Sequence, residues 1–176
     1  RGAITDDVDT VISENNGDVT IAAGNTYYVW NGSTLTTPGS GRITNEGSVA
    51  YLDGYTIISE NGGIEFEWTD ILDATTRNAT YFASKEGRQD NVLRVLASQG
   101  NIWVMGGKSR ELFYNTGGSG ADAFARVSGA VIDRGLKRRT LCIEYEGAVF
   151  YVGNDNVFYV GQGVSDNPIS TSAVDY

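Results

Sequence analysis

Two pairs of glutamates carry the residue types and the spacing that acid–base chemistry would need. Glu65 and Glu67 lie two residues apart, as do Glu144 and Glu146. Glycosidases hold two carboxyl groups about 5–10 Å apart on either side of a glycosidic bond, and residues i and i+2 of a strand share one face. Both pairs also fall on the polar half of an alternating segment, of which Ile64–Trp68 is the clearer example. Because that half of a strand normally faces solvent, we expect neither pair to be catalytic.

The composition removes most other catalytic mechanisms. The chain has no histidine, and Cys142 is its single cysteine. It therefore cannot form an internal disulfide, build a zinc site from histidine and cysteine, or use a histidine base to activate serine or cysteine. Cys142 lies within the apolar run Leu141–Ile143, which indicates a buried, unreactive thiol. The sequence thus predicts a protein that is not an enzyme and that holds no cofactor and no metal.

Two further motifs resemble ligand sites but lack the required spacing. Thr5–Thr10 contains three acids, yet a calcium loop needs more oxygen ligands and a glycine at fixed positions, and Val11 and Glu14 break that pattern. Gly106–Ser109 matches the end of a phosphate-binding loop, but Asn101 stands where that loop has its first glycine, and no helix pattern follows. We interpret the first motif as a solvated acidic segment and the second as a hairpin turn.

Positive charge is concentrated in one short stretch of an otherwise acidic chain. The net charge is −9, and residues 1–76 contain 2 basic and 12 acidic residues. A surface of this sign repels nucleic acid in general. Within fourteen residues that include one acid, five cations nevertheless occur: Arg126, Arg134, Lys137, Arg138 and Arg139. This basic cluster could face phosphate or an acidic partner, form ion pairs with a neighbouring copy of the chain, or lie in a solvated loop, and the sequence leaves all three open.

The elements that must position these residues are short β-strands joined by tight turns. Asp18–Ala23 and Thr26–Trp30 flank Gly24-Asn25, and Val149–Val152 and Val157–Val160 flank Gly153-Asn154-Asp155-Asn156. Apolar or aromatic runs around asparagine, aspartate and glycine predict β-hairpins. Patterns typical of helices are nearly absent.

These strands recur as a repeating unit. Gly24, Gly54, Gly100 and Gly147 each follow an apolar strand and precede an aromatic or β-branched one, at spacings of 30, 46 and 47 residues. The last two spacings match the period of about 40–50 residues that is typical of propeller blades. We therefore predict an all-β, β-propeller-like fold with about four short antiparallel blades, or an arc of a larger propeller, with a β-sandwich as the alternative. Residues 1–176 are expected to form one such domain, as an excerpt of a longer chain.

Five segments between residues 49 and 175 share their order with one group of proteins. They are Val49–Tyr55, Phe82–Asn91, Glu111–Gly117, Gly129–Gly135 and Ile169–Asp175. Together they resemble the packaged-DNA stabilisation proteins of short-tailed bacteriophages, which are also called head-completion or tail-accessory factors. The chain departs from that family at Phe113, where tryptophan is frequent, at Leu136, where cysteine is common, and at Ser172, where histidine is frequent.

The resemblance implies a structural role in the virion. Such proteins are β-propeller-like and assemble as a ring below the portal and its adaptor, where they extend the DNA exit channel and help to retain the packaged genome. On this basis we expect a homo-oligomeric ring whose partners are the portal or adaptor ring and other tail proteins. We expect only weak contact with the packaged DNA and none with a membrane. The protein would be made in the cytoplasm of the bacterial host and reside in the virion, at the head–tail junction.

A carbohydrate-binding or glycan-cleaving propeller is the alternative function. In such a protein, exposed aromatic rings would stack on sugars. Trp30, Trp68 and Trp103 all lie in predicted strands, where packing in the core is the expected role of a large aromatic ring. Ring-shaped oligomers would favour the virion role, and hydrolysis of a polysaccharide would favour the alternative.

Overall fold

The computed structural model describes residue 4, residues 9–39 and residues 41–170 of the chain. Within them, sixteen strands form four antiparallel sheets of four strands each, and the only helical segment is the 3-10 turn Gly120–Asp122. No helix in this part of the chain is long and apolar enough to cross a membrane. Residues 5–8 of the acidic segment, and the end of the last resembling segment with Ser172, lie outside the described residues.

The strands follow one another in sequence order across every sheet. Sheet 1 contains β1 (Val11–Asn15), β2 (Asp18–Ala23), β3 (Thr26–Trp30) and β4 (Leu35–Thr36). Sheet 2 contains β5 (Glu46–Leu52), β6 (Tyr55–Glu60), β7 (Glu65–Thr69) and β8 (Arg77–Ser84). Sheet 3 contains β9 (Val92–Ser98), β10 (Asn101–Gly106), β11 (Arg110–Asn115) and β12 (Phe124–Ile132). Sheet 4 contains β13 (Cys142–Tyr145), β14 (Ala148–Val152), β15 (Phe158–Gln162) and β16 (Ser165–Pro168). Each sheet is therefore a four-stranded meander, the connectivity of a propeller blade.

The first hairpin of every sheet has the same kind of two-residue turn. Both turn residues have a positive φ in Asn16-Gly17, Asp53-Gly54, Gln99-Gly100 and Glu146-Gly147. This backbone conformation suits the right-handed twist of the flanking strands, and glycine, asparagine and aspartate adopt it most easily. The member of this repeat in sheet 1 is therefore Gly17, whereas the sequence spacing predicts Gly24, which lies in the following hairpin.

Apolar side chains fill the space between successive sheets. One buried core lies between sheets 1 and 2, a second between sheets 2 and 3, and a third between sheets 3 and 4. Their members include Tyr27 and Ile58, Phe66 and Phe113, and Trp103 and Tyr151, respectively. Sheets 2 and 3 are consequently buried on both faces, which is possible only because each sheet has a neighbour on either side.

The innermost strands of all four sheets surround one axial cavity. Ile12 of β1, Tyr51 of β5, Arg94 of β9 and Ile143 of β13 line this space, whose volume is about 310 Å³. Four meanders arranged around one axis form a four-bladed β-propeller, which confirms the predicted fold class. The alternative of a β-sandwich, which would have two packed sheets, is wrong.

Candidate functional site

Glu67 is buried rather than solvent-facing, which corrects the prediction for the first pair of carboxylates. Its side chain accepts hydrogen bonds from Arg77 Nε at 2.6 Å and from the backbone N–H groups of Arg42 and Ile43 at 2.7 and 2.9 Å. Glu65 is partly exposed and forms a two-point ion pair with Arg42, at 2.6 and 2.7 Å. Each carboxylate is thus occupied by its own arginine, so the pair has a structural role.

Glu67 faces sheet 1 and lies beneath the connection between sheets 1 and 2. Arg77 also contacts Glu46 at 2.8 Å, and its guanidinium lies 5.5 Å from the ring centre of Tyr27 in sheet 1. A buried charge requires such partners. An alternating strand predicts one solvated face, but this face is covered by the neighbouring blade and its connecting loop.

The second pair of carboxylates lies at the surface, as predicted. Glu144 and Glu146 are exposed, and Glu144 Oε1 accepts a hydrogen bond from the N–H of Gly147 at 2.8 Å across the turn. Glu146 is itself a turn residue, with φ of 50°. Across the described residues, no three side chains of the metal-binding types histidine, cysteine, aspartate and glutamate come together. The pair supports a hairpin turn.

Cys142 is a protonated thiol at neutral pH. Its side chain is partly buried, and Sγ lies 3.6 Å from the carbonyl oxygen of Arg139. Burial raises the pKa of the Cys142 thiol to about 11, with a smaller opposing effect from the charge of Arg94. Because the thiolate is the nucleophilic form, the prediction of an unreactive thiol agrees with this environment.

Two members of the basic cluster are held in ion pairs and aromatic contacts. Arg126 Nε lies 2.8 Å from Glu111 and its Nη2 lies 3.6 Å from Glu86. The guanidinium of Arg134 lies 4.0 Å from the ring centre of Tyr159 and 3.8 Å from Asp166. Arg126 of β12 therefore links sheet 3 to the end of sheet 2, where it also donates to the carbonyl of Ser84 at 2.9 Å, and Arg134 links the connection after sheet 3 to sheet 4. The structure does not bring these two arginines together with the rest of the cluster.

The other three members line a second cavity, which we call the axial basic cavity. Its volume is about 650 Å³. It is lined by Asp9, Gly24, Asn25, Asn61, Leu93, Lys137, Arg138 and Arg139. Strands β1, β9 and β13 all begin beside these residues, so the cavity lies at the end of the propeller axis where three innermost strands start.

Hydrogen bonds hold Arg139 in a fixed position within the axial basic cavity. Its Nε donates to the carbonyl of Leu93 at 3.2 Å and its Nη2 donates to Asn61 Oδ1 at 2.5 Å. Asn61 in turn donates to Asn25 Oδ1 at 2.5 Å. Lys137 donates to Asn156, whereas the side chain of Arg138 is exposed and has no partner among the described residues. Burial lowers the pKa of Arg139, although the guanidinium stays charged at any ordinary pH.

Arg94 is a functional candidate that the sequence analysis misses. It lines the 310 Å³ axial cavity, and its Nε is buried without a hydrogen-bond partner among the described residues. Burial lowers the pKa of Arg94, and its positive charge also lowers the pKa of Arg139. The sequence feature that could indicate this residue is a lone arginine inside the apolar strand Val92–Ser98.

The tryptophans do not form a sugar-stacking platform. Trp68 and Trp103 are each 1% exposed, as expected for core residues, and Trp30 is 37% exposed. The indole N–H of Trp68 donates to the carbonyl of Gly120 at 2.9 Å. Two of the three rings are therefore unable to stack on a ligand.

Comparison with protein families identifies the group to which this propeller belongs. The family model described as bacteriophage P22 Gp10, β-propeller, matches residues 2–176. The chain belongs to this phage stabilisation family. Its members are phage DNA stabilisation proteins, so the resemblance seen in the sequence is confirmed over almost the whole chain. No curated protein matches the chain.

Solved propellers share the fold of this family member. Hsv2 of Kluyveromyces lactis has 14% identity and a TM-score of 0.52, over 86% of this chain and 44% of that one. YCF48 of Cyanidioschyzon merolae has 16% identity and a TM-score of 0.52, over 86% and 50%. The extracellular domain of the hybrid two-component system BT4673 of B. thetaiotaomicron has 13% identity and a TM-score of 0.57, over 93% and 22%. The chain spans half or less of the length of each.

Proposed function

We propose that the protein is a structural component of the virion at the head–tail junction, where it extends the DNA exit channel below the portal and helps to retain the packaged genome. The observation that carries this proposal is the family match over residues 2–176. A homo-oligomeric ring in contact with the portal or adaptor ring and other tail proteins is part of the proposal. So is the absence of any catalysed reaction.

The electrostatics of the chain support a channel role. A net charge of −9 makes the surface predominantly repulsive to DNA. A wall of this kind lets DNA pass without holding it at many points, which is what rapid genome release requires. The carboxylates of Glu65 and Glu67 are held by arginines and that of Glu144 by a turn N–H, and this favours a structural role for them over hydrolysis.

Deletion of the gene from the phage genome tests this function directly. We expect the mutant to fill its heads with DNA and then to lose it, so that the packaged DNA becomes sensitive to nuclease. Complementation with the intact gene should restore protection. Cryo-electron microscopy of the complemented particles should show an added ring beneath the portal. Deletion particles that keep nuclease-resistant DNA and an unchanged tail would overturn the proposal.

The sugar-binding alternative gains no support from the site. Trp68 and Trp103 are buried and Glu67 is held by Arg77. We therefore retain the virion role alone.

A further inference from the structure

The positive side chains without a carboxylate partner gather at one place. Of the twelve lysines and arginines among the described residues, seven lie within 4.0 Å of a carboxylate. The five that lack such a neighbour in this part of the chain are Arg94, Lys108, Lys137, Arg138 and Arg139. Three of these five line the axial basic cavity, and Arg94 is close enough to lower the pKa of Arg139.

The charges of the described residues around this cavity do not balance. Among these lining residues, Asp9 is the single carboxylate against Lys137, Arg138 and Arg139, which leaves a surplus of two positive charges within the described part of the chain. The acid raises the pKa of Arg139 but lies outside ion-pair distance of its guanidinium. Like charges held together without a counterion repel one another. An anion in the cavity would relieve that repulsion.

The donors are arranged to receive such an anion. Two hydrogen bonds fix the guanidinium of Arg139 and leave its Nη1 group without a protein partner among the described residues. Arg138 offers a complete, exposed guanidinium, and among the described residues the ammonium of Lys137 is engaged with Asn156 alone. Arginine presents a planar fork that binds the oxygens of a phosphate in pairs.

We propose that the axial basic cavity binds a phosphate group. A phosphate monoester carries a charge of about −1.5 to −2 at pH 7 and three strong acceptor oxygens, which matches a surplus of two positive charges better than a single carboxylate does. The volume of about 650 Å³ lies in the range of small-molecule sites. Free inorganic phosphate and the phosphates of nucleic acid share this chemistry. The site does not depend on the virion role of the protein.

Titration calorimetry with inorganic phosphate at low ionic strength tests the site. We expect saturable binding by the wild-type chain, and about tenfold weaker binding after Lys137→Ser or Arg138→Ser. Both residues are exposed, so the variants should fold. Lys108→Ser is the matched control, because it removes another lysine whose ammonium has no carboxylate partner in the described structure, and it should change the affinity less than twofold. Absence of saturable binding, or an equal loss in the Lys108→Ser control, would overturn the proposal.

Competition with a labelled DNA duplex distinguishes the two sources of phosphate. If inorganic phosphate displaces the duplex from wild-type protein, and Arg138→Ser weakens both ligands, the site serves nucleic-acid phosphate. If phosphate binds and the duplex does not, the site serves the free anion. Either of these two results supports the proposed phosphate site. Failure of the virion role would appear separately, as nuclease-resistant DNA in the deletion particles.

Discussion

Arg77 and its two carboxylates form a charged group that is almost completely shielded from water. Glu46 and Glu67 lie 2.8 and 2.6 Å from its nitrogens, and all three side chains are at most 7% exposed. Two backbone N–H groups complete the coordination of Glu67. Such a group adds little net stability when it is intact. Removal of one member, however, leaves an unpaired charge in a medium of low polarity, which strongly destabilises the folded state.

Glu67→Gln should therefore destabilise the fold by about 3 kcal/mol. The substitution preserves the volume of the side chain and removes the charge that pairs with Arg77. Urea unfolding monitored by tryptophan fluorescence gives the free energy of unfolding. Glu144→Gln is the control, since Glu144 is exposed, and its effect should stay within about 0.5 kcal/mol. Equal effects of the two substitutions would contradict the structural role of Glu67.

Cys142 should react slowly with alkylating reagents. A pKa of about 11 leaves roughly a hundredfold less thiolate at pH 7.5 than an ordinary cysteine has. Mass spectrometry after treatment with iodoacetamide measures the rate, and the same protein in urea supplies the control, where alkylation should be fast. A native rate equal to that of the unfolded chain would refute the assignment.

Local sequence predicts the environment of Cys142 but not that of Glu67, for a physical reason. Cys142 lies in an apolar run, and a single strand pattern is enough to predict its low reactivity. The burial of Glu67 depends on Arg77, on the loop at Arg42-Ile43 and on sheet 1. The alternating pattern of Ile64–Trp68 predicts none of these neighbours, because it indicates that the segment is a strand but not which residues pack on either face.

At the scale of elements, buried ion pairs accompany the connections and contacts between successive sheets. Lys85, which follows β8, pairs with Asp90 in the connection to sheet 3. Arg110 of β11 pairs with Asp166 of β16 in sheet 4, and its guanidinium lies 4.4 Å from the ring centre of Trp103. The Arg110 pair and the Arg77 group thus lie at contacts between neighbouring sheets, whereas the Lys85 pair holds the connection between sheets 2 and 3 in place.

Local sequence predicts hairpins well and the edges of the sheets poorly. Strands β2 and β3 have the predicted bounds, because apolar runs on both sides of Gly24-Asn25 define them. Strand β4 has only two residues, and β16 is the polar segment Ser165–Pro168. Both pair with a neighbour on one side only, so their sequences carry little hydrophobic signal. The axial basic cavity is not visible in local sequence because its lining comes from sheets 1, 2 and 3 and from the connection before sheet 4, which are far apart along the chain.

Gly135 fixes the connection between sheets 3 and 4 against the β10–β11 turn. A Cβ atom at this position would lie 2.2 Å from the carbonyl carbon of Gly107 and from the nitrogen of Lys108. Next to it, the N–H of Leu136 donates to the carbonyl of Gly106 at 2.8 Å. Two backbone segments are thus in direct contact, and neither can move away as a flexible side chain would.

Gly135→Ala should destabilise the protein by at least about 2 kcal/mol, because the added methyl group forces these backbone segments apart. Thermal unfolding followed by circular dichroism measures the effect. The control is Gly39→Ala, because a Cβ at that position would meet no atom of the described residues within 4 Å. This substitution should leave the midpoint nearly unchanged. A wild-type midpoint for Gly135→Ala would show that this contact is looser than described.

At the scale of the whole molecule, the side-chain charge is constant across neutral pH. The chain has no histidine. Hydrogen bonds from Thr76 and Thr75 lower the pKa of Asp73 to about 2, with burial opposing them. Burial raises the pKa of Cys142 to about 11 and, with a hydrogen bond to Asp155, that of Tyr159 to about 12. None of these groups titrates between pH 5 and pH 8.

The free energy of unfolding should consequently be flat from about pH 5 to about pH 8. Below about pH 4 it should fall, since the unfolded chain takes up protons before Asp73 does in the folded protein. Above about pH 9 it should fall again, because Cys142 and Tyr159 ionise more readily when unfolded. Urea midpoints at pH 3, 5, 7, 8 and 10 check this profile. A slope between pH 5 and pH 8 would contradict it.

The meander connectivity of the four sheets determines how the chain can fold. Every ladder of hydrogen bonds within a sheet joins strands that are consecutive in sequence, and the three apolar cores each join one sheet to the next along the chain. Each new strand pairing or sheet contact therefore closes only a short loop of the chain, which favours fast formation of each sheet. As the polypeptide leaves the ribosome, one sheet can form its hairpins while the next is still being synthesised. Each completed sheet then presents an apolar face on which its successor condenses, so that the propeller grows in the order of translation.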